Sequence, residues 1–406
     1  MRNLLLLICF VLLLQSELSA QGFRIIGYLP TYRFSLQNDI HFEQLTHLNL
    51  SFLNPDANGN LVIDGQNIDP IVSRARSLNP TIKVFVAIAG GGLTAEWEAA
   101  YKLRMQAANR TAFVQQLVAY VESHNLDGID VDLEWSHVDA LYSPFVLELA
   151  DSLHAKGFEI SAAWPATTRY ADITDAALAS FDWINLMAYD LTGPWNPNRP
   201  GDHSPYSFAN QGIAFWKGHG VSADRMNLGV PFYGRNWESP NTGQAFTYGS
   251  MVQEDTAYAY EDTVGQRYYN GIPGIQAKTH LAQMETSGIM IWEIGQDAFG
   301  VLEHLSLLKT IYEQIGQTTP LEPELAQLNA ALFPNPFSEQ ISLEMNVEDR
   351  KSGIEIRDLQ GRVLLEQRLD MGQNLKSWNL SFLPEGLYLF VIHTDGRSYI
   401  KKLIKR

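Results

Sequence analysis

Short apolar runs alternate with longer amphipathic segments over residues 24–316, and this alternation predicts the fold of most of the chain. Eight runs rich in Val, Ile and Leu are predicted strands, at 24–30, 46–52, 82–89, 128–134, 158–164, 183–189, 226–232 and 288–292. The segments between and after them predict helices, at 66–78, 109–124, 142–156, 204–217, 274–286 and 299–315. Several strands are apolar throughout, which is typical of parallel strands buried on both faces. This repeat favours an α/β fold, the (β/α)8 TIM barrel, over an open doubly wound sheet.

The pattern changes beyond residue 316. Residues 317–328 mix Thr, Pro, Glu and Ala and are predicted to be a linker. The remaining residues alternate in short segments, at 340–346, 353–358, 362–368, 375–380, 387–394 and 398–403, and Asp395-Gly396 is a hairpin signal. We therefore expect a barrel domain at 21–316 and a small all-β sandwich domain at 329–406.

The N-terminus has the layout of a secretory signal peptide at residues 1–20: Arg2, an apolar run over 4–14, and small residues that end at Ala20. Cys9 is the only cysteine and lies inside that run, so we expect no disulfide and no cysteine-ligated metal after processing. The net charge of −16 argues against a nucleic-acid partner. No other apolar stretch is long enough to predict a transmembrane segment.

The candidate chemistry is concentrated in residues 127–134, which read DGIDVDLE. On a strand, Asp130, Asp132 and Glu134 would share one face, and the apolar residues between them the other. A helix would also bring Asp127, Asp130 and Glu134 together, but the β-branched residues favour the strand. Glu134 would then lie at the mouth of a barrel, where Asp132 could raise its pKa by like-charge repulsion. A merely solvated strand end is disfavoured, because three carboxylates on one buried face repel each other. A calcium loop would need a glycine and a distal Glu that are absent.

This stretch resembles the DxxDxDxE signature of glycoside hydrolase family 18, the chitinase family. The agreement extends along the first three hundred residues, through Gly27-Tyr28-Leu29-Pro30, Met187-Ala188-Tyr189-Asp190, residues 229–235 and Trp292-Glu293. The resemblance implies a cofactor-independent hydrolase of β-1,4-linked N-acetylglucosamine polymers such as chitin, with no metal. It also implies retention of configuration, with the N-acetyl group of the substrate as the nucleophile.

The resemblance implies a role for individual residues. Glu134 would be the general acid/base, Asp132 would bind the acetamido N–H, and Asp130 would tune this pair. Tyr189 would bind the acetamido oxygen. The implied substrate-binding residues are Trp292, Asp190, Tyr28, Met187, Arg235, Tyr233 and Trp97. Packing is an open alternative for Tyr28 and Met187, and also for each loop tryptophan, namely Trp97, Trp164, Trp195 and Trp237; Trp97 is preferred among them for sugar stacking.

Two departures from the family pattern bear on activity. Ala89 stands where the family has a serine whose hydroxyl would help stabilise Asp130. The stretch 236–287 is shorter than the insertion that deepens the cleft of processive chitinases, and it predicts a shallower groove with endo-type attack. The alternatives in substrate are N-glycans, for an endo-β-N-acetylglucosaminidase, and peptidoglycan. A non-catalytic chitin-binding lectin is a third alternative, which the intact Glu134 and Asp132 disfavour.

The segment from about residue 329 resembles the C-terminal sorting domain of the type IX secretion system. The resemblance rests on residues 333–337, 358–362 and 384–388 and on the basic end 401–406. It implies type IX secretion machinery as a partner and a secreted, extracellular or surface-attached protein. The alternative is a carbohydrate-binding sandwich, for which Trp378 is the one obvious candidate aromatic.

Overall fold

The computed structural model describes residues 22–316, 331–334, 337–344, 353–358, 362–369, 375–384, 386–394 and 397–405. The predicted signal peptide and linker, and the hairpin signal at 395–396, lie outside the described residues. The chain forms two compact units, Met1–Ile315 and Gly316–Arg406.

Eight parallel strands close the first unit into a barrel, as the apolar runs predict. They are β1 (Arg24–Pro30), β2 (His47–Pro55), β3 (Lys83–Ala89), β4 (Gly128–Asp132), β5 (Glu159–Pro165), β6 (Trp183–Met187), β7 (Met226–Pro231) and β8 (Gly288–Trp292). Each strand pairs in parallel with the next, and β8 returns to β1 with Gly288 beside Arg24. The TIM-barrel prediction is confirmed.

Helices follow the strands, and their apolar sides pack on the outward faces of the strands. Their bounds are Asp69–Leu78, Ala95–Arg104, Ala107–Ser123, Tyr142–His154, Asp175–Ser180, Tyr206–Gly218, Tyr248–Glu254, Ile272–Glu285 and Leu307–Gly316. Ile129, Val131 and Leu133 of the carboxylate stretch belong to this outer core and are fully buried. Their burial orients the alternate residues of β4 towards the barrel interior.

The predicted helix at 299–315 is wrong in its first half. A 3-10 segment, Gly300–Leu305, precedes the helix Leu307–Gly316. The break has a physical cause in Asp297, whose carboxylate accepts hydrogen bonds from the N–H groups of Leu307 (2.8 Å) and Leu308 (3.0 Å). A helix begins where its first free N–H groups find such an acceptor.

The stretch after β7 contains a small antiparallel sheet that the sequence pattern does not predict. Its strands are Tyr233–Asn236, Gln244–Thr247, Thr263–Val264 and Arg267–Tyr268. Elsewhere in the barrel unit, a two-residue strand, Leu61–Val62, pairs in antiparallel orientation with the end of β2. Both additions consist of strands too short to show a clear alternation of apolar and polar residues.

The second unit is built from two antiparallel sheets. One contains Ala331–Phe333, Gln340–Glu344 and Leu375–Asn379; the other contains Gly353–Arg357, Val363–Arg368, Gly386–Thr394 and Arg397–Lys405. Buried residues from both sheets, including Ile341, Ile354 and Phe390, form a single apolar cluster. This arrangement is the predicted sandwich. In the parts of the chain that are described, no helix has the length and apolar character needed to cross a membrane.

Candidate active site

The carboxylates of β4 lie on the interior face of the barrel. In the parallel register, Asp130 is level with Ala87 of β3 and Ser161 of β5, and Asp132 is level with Ala89. Glu134 follows the end of β4 in an extended conformation, with φ of −124° and ψ of 162°. The alternation of the strand therefore continues through Glu134, and the three side chains form a ladder towards the C-terminal mouth.

Asp130 is the deepest of the three and is fully buried. Its carboxylate accepts hydrogen bonds from the hydroxyl groups of Tyr28 and Ser161, both at 2.6 Å, and from the side-chain amide of Asn185 at 3.1 Å. Burial raises the pKa of Asp130 to about 6, although these three hydrogen bonds act in the opposite direction. Asp130 therefore sits in a pocket that contains enough donors to accommodate its negative charge.

Asp132 and Glu134 both have carboxyl groups whose pKa values are raised. Burial, and then the charges of Glu134 and Asp130, raise the pKa of Asp132 well above its usual value. Burial, followed by the charge of Asp190, raises the pKa of Glu134 to about 7. Within the described residues, the buried Oδ1 of Asp132 has no hydrogen-bond partner. Buried polar atoms rarely lack a hydrogen-bond partner, so this oxygen is available to accept a hydrogen bond from a ligand.

The loop after β3 closely approaches the carboxyl group of Glu134. A Cβ atom built on Gly91 would lie 2.5 Å from Oε1 of Glu134, whereas one on Gly92 would meet nothing within 4 Å. Any larger residue at position 91 would displace the carboxyl group of Glu134. The same loop begins at Ala89, which is level with Asp132 rather than Asp130 and has a left-handed backbone with φ of 76°. Asp130 receives its hydroxyl groups from Tyr28 and Ser161 instead, so it has three donors without one at position 89.

An aromatic wall surrounds the carboxylates at the mouth. The ring of Trp292 packs edge-on against Tyr28 at 5.5 Å and is stacked on Phe52 at 5.7 Å. Met187 and Tyr189 pack against the same interior cluster. Among the residues that the structure describes, the hydroxyl of Tyr189 has only a long contact to the sulfur of Met290, at 3.9 Å. Burial and the charges of Asp132 and Glu134 raise its pKa well above the usual value, so this hydroxyl stays a neutral donor.

Asp190 forms a second polar centre beside the ladder. Its carboxylate accepts hydrogen bonds from Nη2 (2.6 Å) and Nε (3.2 Å) of Arg235. Burial acts to raise the pKa of Asp190, but the contacts with His203 and Arg235 outweigh it and hold the pKa below its usual value. Tyr233 packs between His203 and Arg235, with its ring 4.8 Å from the imidazole and 5.4 Å from the guanidinium.

The predicted strand at 183–189 ends earlier than expected, and the difference shapes this centre. The N–H of Ala188 donates to the carbonyl of Leu186 at 2.8 Å, and Asp190 adopts a left-handed backbone with φ of 59°. This turn takes Tyr189 and Asp190 out of β6 at the mouth. Non-glycine residues adopt such a φ only where the surroundings enforce it, and they are frequent at functional sites.

The loop tryptophans differ in exposure. Trp97 lies half-buried in the first turn of the helix Ala95–Arg104, and its N–H donates to the hydroxyl of Thr94. Trp164 is fully buried against Trp216, so it is a packing residue. Trp195 is 58% exposed and lies 5.0 Å from the guanidinium of Arg235. Trp135, directly after Glu134, is 64% exposed.

Four residues of the site escape the sequence interpretation: Ser161, Asn185, His203 and Gly91. Ser161 and Asn185 are polar residues inside otherwise apolar strands, and this interruption is the signal that could have found them. His203 gives no such signal, because it lies in a loop. In the described residues, no group of three His, Cys, Asp or Glu side chains could hold a metal ion.

Two buried carboxyl groups with raised pKa values at the mouth of a barrel, beside a tyrosine hydroxyl and an aromatic wall, suit acid-catalysed cleavage of a sugar chain. Comparison with known families agrees with this chemistry. Residues 24–297 match the model of glycosyl hydrolases family 18. The chain belongs to this family. Residues 331–406 match the secretion system C-terminal sorting domain, which indicates export. Trp378, the candidate aromatic of the alternative sugar-binding sandwich, is buried against Phe390, so that alternative loses its support.

Several relatives of this family 18 protein are known. The GH18 chitinase ChiB from the chitin utilization locus of Flavobacterium johnsoniae is 43% identical, covers 73% of this chain and 94% of its own, and superposes with a TM-score of 0.70. A chitinase from Bacteroides thetaiotaomicron is 25% identical, with coverage of 74% and 98% and a TM-score of 0.65. Chitinase A1 of Niallia circulans is 26% identical over 54% of this chain. The match spans only 44% of that longer protein.

Proposed function

We propose that this protein is a secreted glycoside hydrolase that cleaves β-1,4-linked N-acetylglucosamine polymers, with chitin as the main substrate. The observation that carries the proposal is the ladder on β4, in which Glu134 stands at the mouth and Asp132 beneath it has an unpartnered buried oxygen. Relatives named as chitinases support the choice of substrate.

Glu134 is the proton donor in this proposal. Its raised pKa of about 7 keeps much of its population protonated near neutral pH, as a general acid requires. The proton passes from Glu134 to the glycosidic oxygen as the bond to the anomeric carbon breaks. The ionised Glu134 then deprotonates a water molecule, which attacks the anomeric carbon and completes hydrolysis.

The nucleophile is the carbonyl oxygen of the substrate's own acetamido group. Oδ1 of Asp132 accepts the acetamido N–H, which turns the carbonyl towards the anomeric carbon and supports the positive charge that develops on the group. Tyr189 donates its free hydroxyl to the acetamido oxygen. The new bond between this oxygen and the anomeric carbon is later opened by water, so the configuration is retained.

The remaining polar and aromatic groups bind the sugar. Trp292, braced by Tyr28 and Phe52, forms the floor under the reacting sugar. Asp190 and Arg235 hydrogen-bond sugar hydroxyls. Endo-type attack is also proposed, because the stretch between β7 and β8 adds only the small sheet and the short helices Tyr248–Glu254 and Thr256–Tyr260 to the long helix Ile272–Glu285. Release of dimers strictly from chain ends would overturn the endo-type attack alone.

Export through the type IX secretion machinery is the proposed route to the substrate. The match of residues 331–406 to a sorting domain and the signal-peptide layout of residues 1–20 support it. In a host with this system, deletion of the codons for residues 331–406 should leave the enzyme associated with the cells. Unchanged secretion would contradict the route without touching the activity.

The decisive test incubates the purified protein side by side with colloidal chitin, an N-glycoprotein and peptidoglycan. Release of N-acetylglucosamine oligomers from chitin is the expected result, and Glu134→Gln should abolish it. Release of sugars from only the N-glycoprotein or only peptidoglycan would identify that polymer, instead of chitin, as the substrate. Activity that survives Glu134→Gln would refute the role of this residue, and no release from any polymer would favour a lectin.

A further inference from the structure

Lys278 is an unusual residue behind the active site. It lies on the helix Ile272–Glu285 and is 1% exposed, although lysine is rarely buried without a carboxylate partner. Its ammonium group donates to three uncharged oxygens instead: the carbonyl of Ser204, Oγ of Ser204 at 2.8 Å, and Oδ1 of Asn270. The desolvation of a buried charge is costly, so a sequence retains such a lysine only where the hydrogen bonds that it makes offset the loss.

The three acceptors match the three donors of an ammonium group. A neutral amine would have only two N–H donors and would leave one of these oxygens without its partner. Burial lowers the pKa of Lys278 to about 8, and the charges of Asp202 and Asp262 act against this effect. Lys278 is therefore mainly charged near neutral pH, in the form that fits its surroundings.

The charge of Lys278 fixes the direction of a hydroxyl group. Because an ammonium group cannot accept a hydrogen bond, Oγ of Ser204 must accept from it, and the single proton of this hydroxyl is left for another partner. That partner is the carbonyl of Ala188, at 2.6 Å. Lys278 thus acts, through one serine, on the backbone between Met187 and Tyr189.

The residue before Ser204 holds the same segment. Nε2 of His203 donates to the carbonyl of Tyr233 at 3.2 Å, so in the neutral imidazole Nδ1 accepts the N–H of Asp190 at 3.3 Å. The carbonyl of His203 accepts the N–H of Leu191 at 2.9 Å. Residues 203–204 therefore make three hydrogen bonds to the backbone of 188–191. These bonds enforce the left-handed conformation of Asp190 and present Tyr189 at the mouth.

We propose that Lys278 is a positioning residue, whose ammonium group fixes Tyr189 and Asp190 at the active-site mouth through Ser204. The inference rests on the proposed function, since it concerns the same site. It goes beyond that function by giving a role to a residue of the outer helix layer that touches no substrate. A purely structural lysine would anchor its helix to the barrel and leave the turn after β6 unchanged.

The test compares Lys278→Met with Lys217→Met. Methionine has nearly the length of lysine and removes the charge; Lys217 is a partly exposed lysine that pairs at 2.5 Å with Glu285, on the same helix as Lys278. With 4-methylumbelliferyl N,N′-diacetylchitobioside as substrate, Lys278→Met should lower kcat by about 10- to 100-fold with less effect on KM, because small displacements of orienting groups are costly. Lys217→Met should change neither value.

A double-mutant cycle shows whether the effect passes through Tyr189. In the background of Tyr189→Phe, Lys278→Met should lower kcat by only about threefold further, because the hydroxyl that it positions is already absent. Fully additive losses, or wild-type activity of Lys278→Met, would overturn the proposal. Ser204→Ala breaks the same link with a smaller change and should reproduce the loss if Lys278→Met does not fold.

Hydrogen exchange tests the positioning role without any measurement of activity. The amides of Asp190 and Leu191, which donate to His203, should exchange faster in Lys278→Met, while those of the helix Tyr142–His154 should keep their protection. Uniform loss of protection, or no change at 190–191, would overturn the positioning role. An inactive wild type with the expected exchange pattern would refute the proposed function and leave this inference standing.

Discussion

Glu134→Gln should make the barrel more stable at high pH while it removes activity. The pKa of Glu134 is about 7 in the folded protein against an ordinary value of 4.5, a difference of about 2.5 units, or about 3 kcal/mol at 1.36 kcal/mol per unit. The folded pKa is the higher one, so the folded state binds the proton more tightly. Stability therefore falls as pH rises from about 4.5 to about 7, and ionised Glu134 costs the fold about 3 kcal/mol above that window. Glutamine is neutral and has almost the same shape.

The assay is urea unfolding followed by tryptophan fluorescence, which reports on the barrel because eight of the nine tryptophans precede residue 316. At about pH 8.5 the variant should gain about 3 kcal/mol in the free energy of unfolding, and at about pH 4 almost nothing, since Glu134 is then protonated in both states. Glu122→Gln, at an exposed pair with Lys156, should change the stability little at either pH. Equal free energies of unfolding for Glu134→Gln and the wild type at pH 8.5 would refute the conclusion that burial makes the ionised Glu134 destabilising.

Three further predictions concern the same site. Gly91→Ala would place a Cβ 2.5 Å from Oε1 of Glu134 and should lower kcat/KM by about 100-fold, whereas Gly92→Ala should change it little; equal effects of the two variants would contradict the close approach. Tyr28→Phe removes a 2.6 Å donor worth about 1.5–3 kcal/mol from Asp130 and should raise its pKa by about one to two units, as measured by carboxyl NMR titration; an unchanged titration would exclude this bond. Initial hydrolysis rates should fall as pH rises through about 7, because Glu134 then loses the proton that the proposed mechanism requires it to donate, and full activity at pH 9 would oppose its proposed role as the acid.

The barrel could be predicted from the sequence because its signal is repeated. All eight strands lie within a few residues of their expected positions, since a strand buried on both faces must be apolar along its whole length. The ends of strands carry no such signal. The turn after β6 depends on a backbone conformation at Asp190 that His203 and Ser204 enforce, and these residues are distant from it in the sequence. The motif alone therefore predicts Tyr189 on β6, although that strand ends at Met187.

The hydrogen-bond donors to Asp130 could not be predicted from a single motif either. A motif on one strand contains Asp130 itself, but its donors come from three other strands: Tyr28 from β1, Ser161 from β5 and Asn185 from β6. They meet only because the sheet closes, so no local pattern contains the set. The replacement of the usual serine by Ala89 then has a different meaning. On the sequence alone it removes a hydroxyl from the carboxylate ladder. In the closed barrel, Ala89 is level with Asp132, and Asp130 keeps three donors from other strands. We therefore expect Ser161→Ala to lower kcat/KM more than Ala89→Ser raises it.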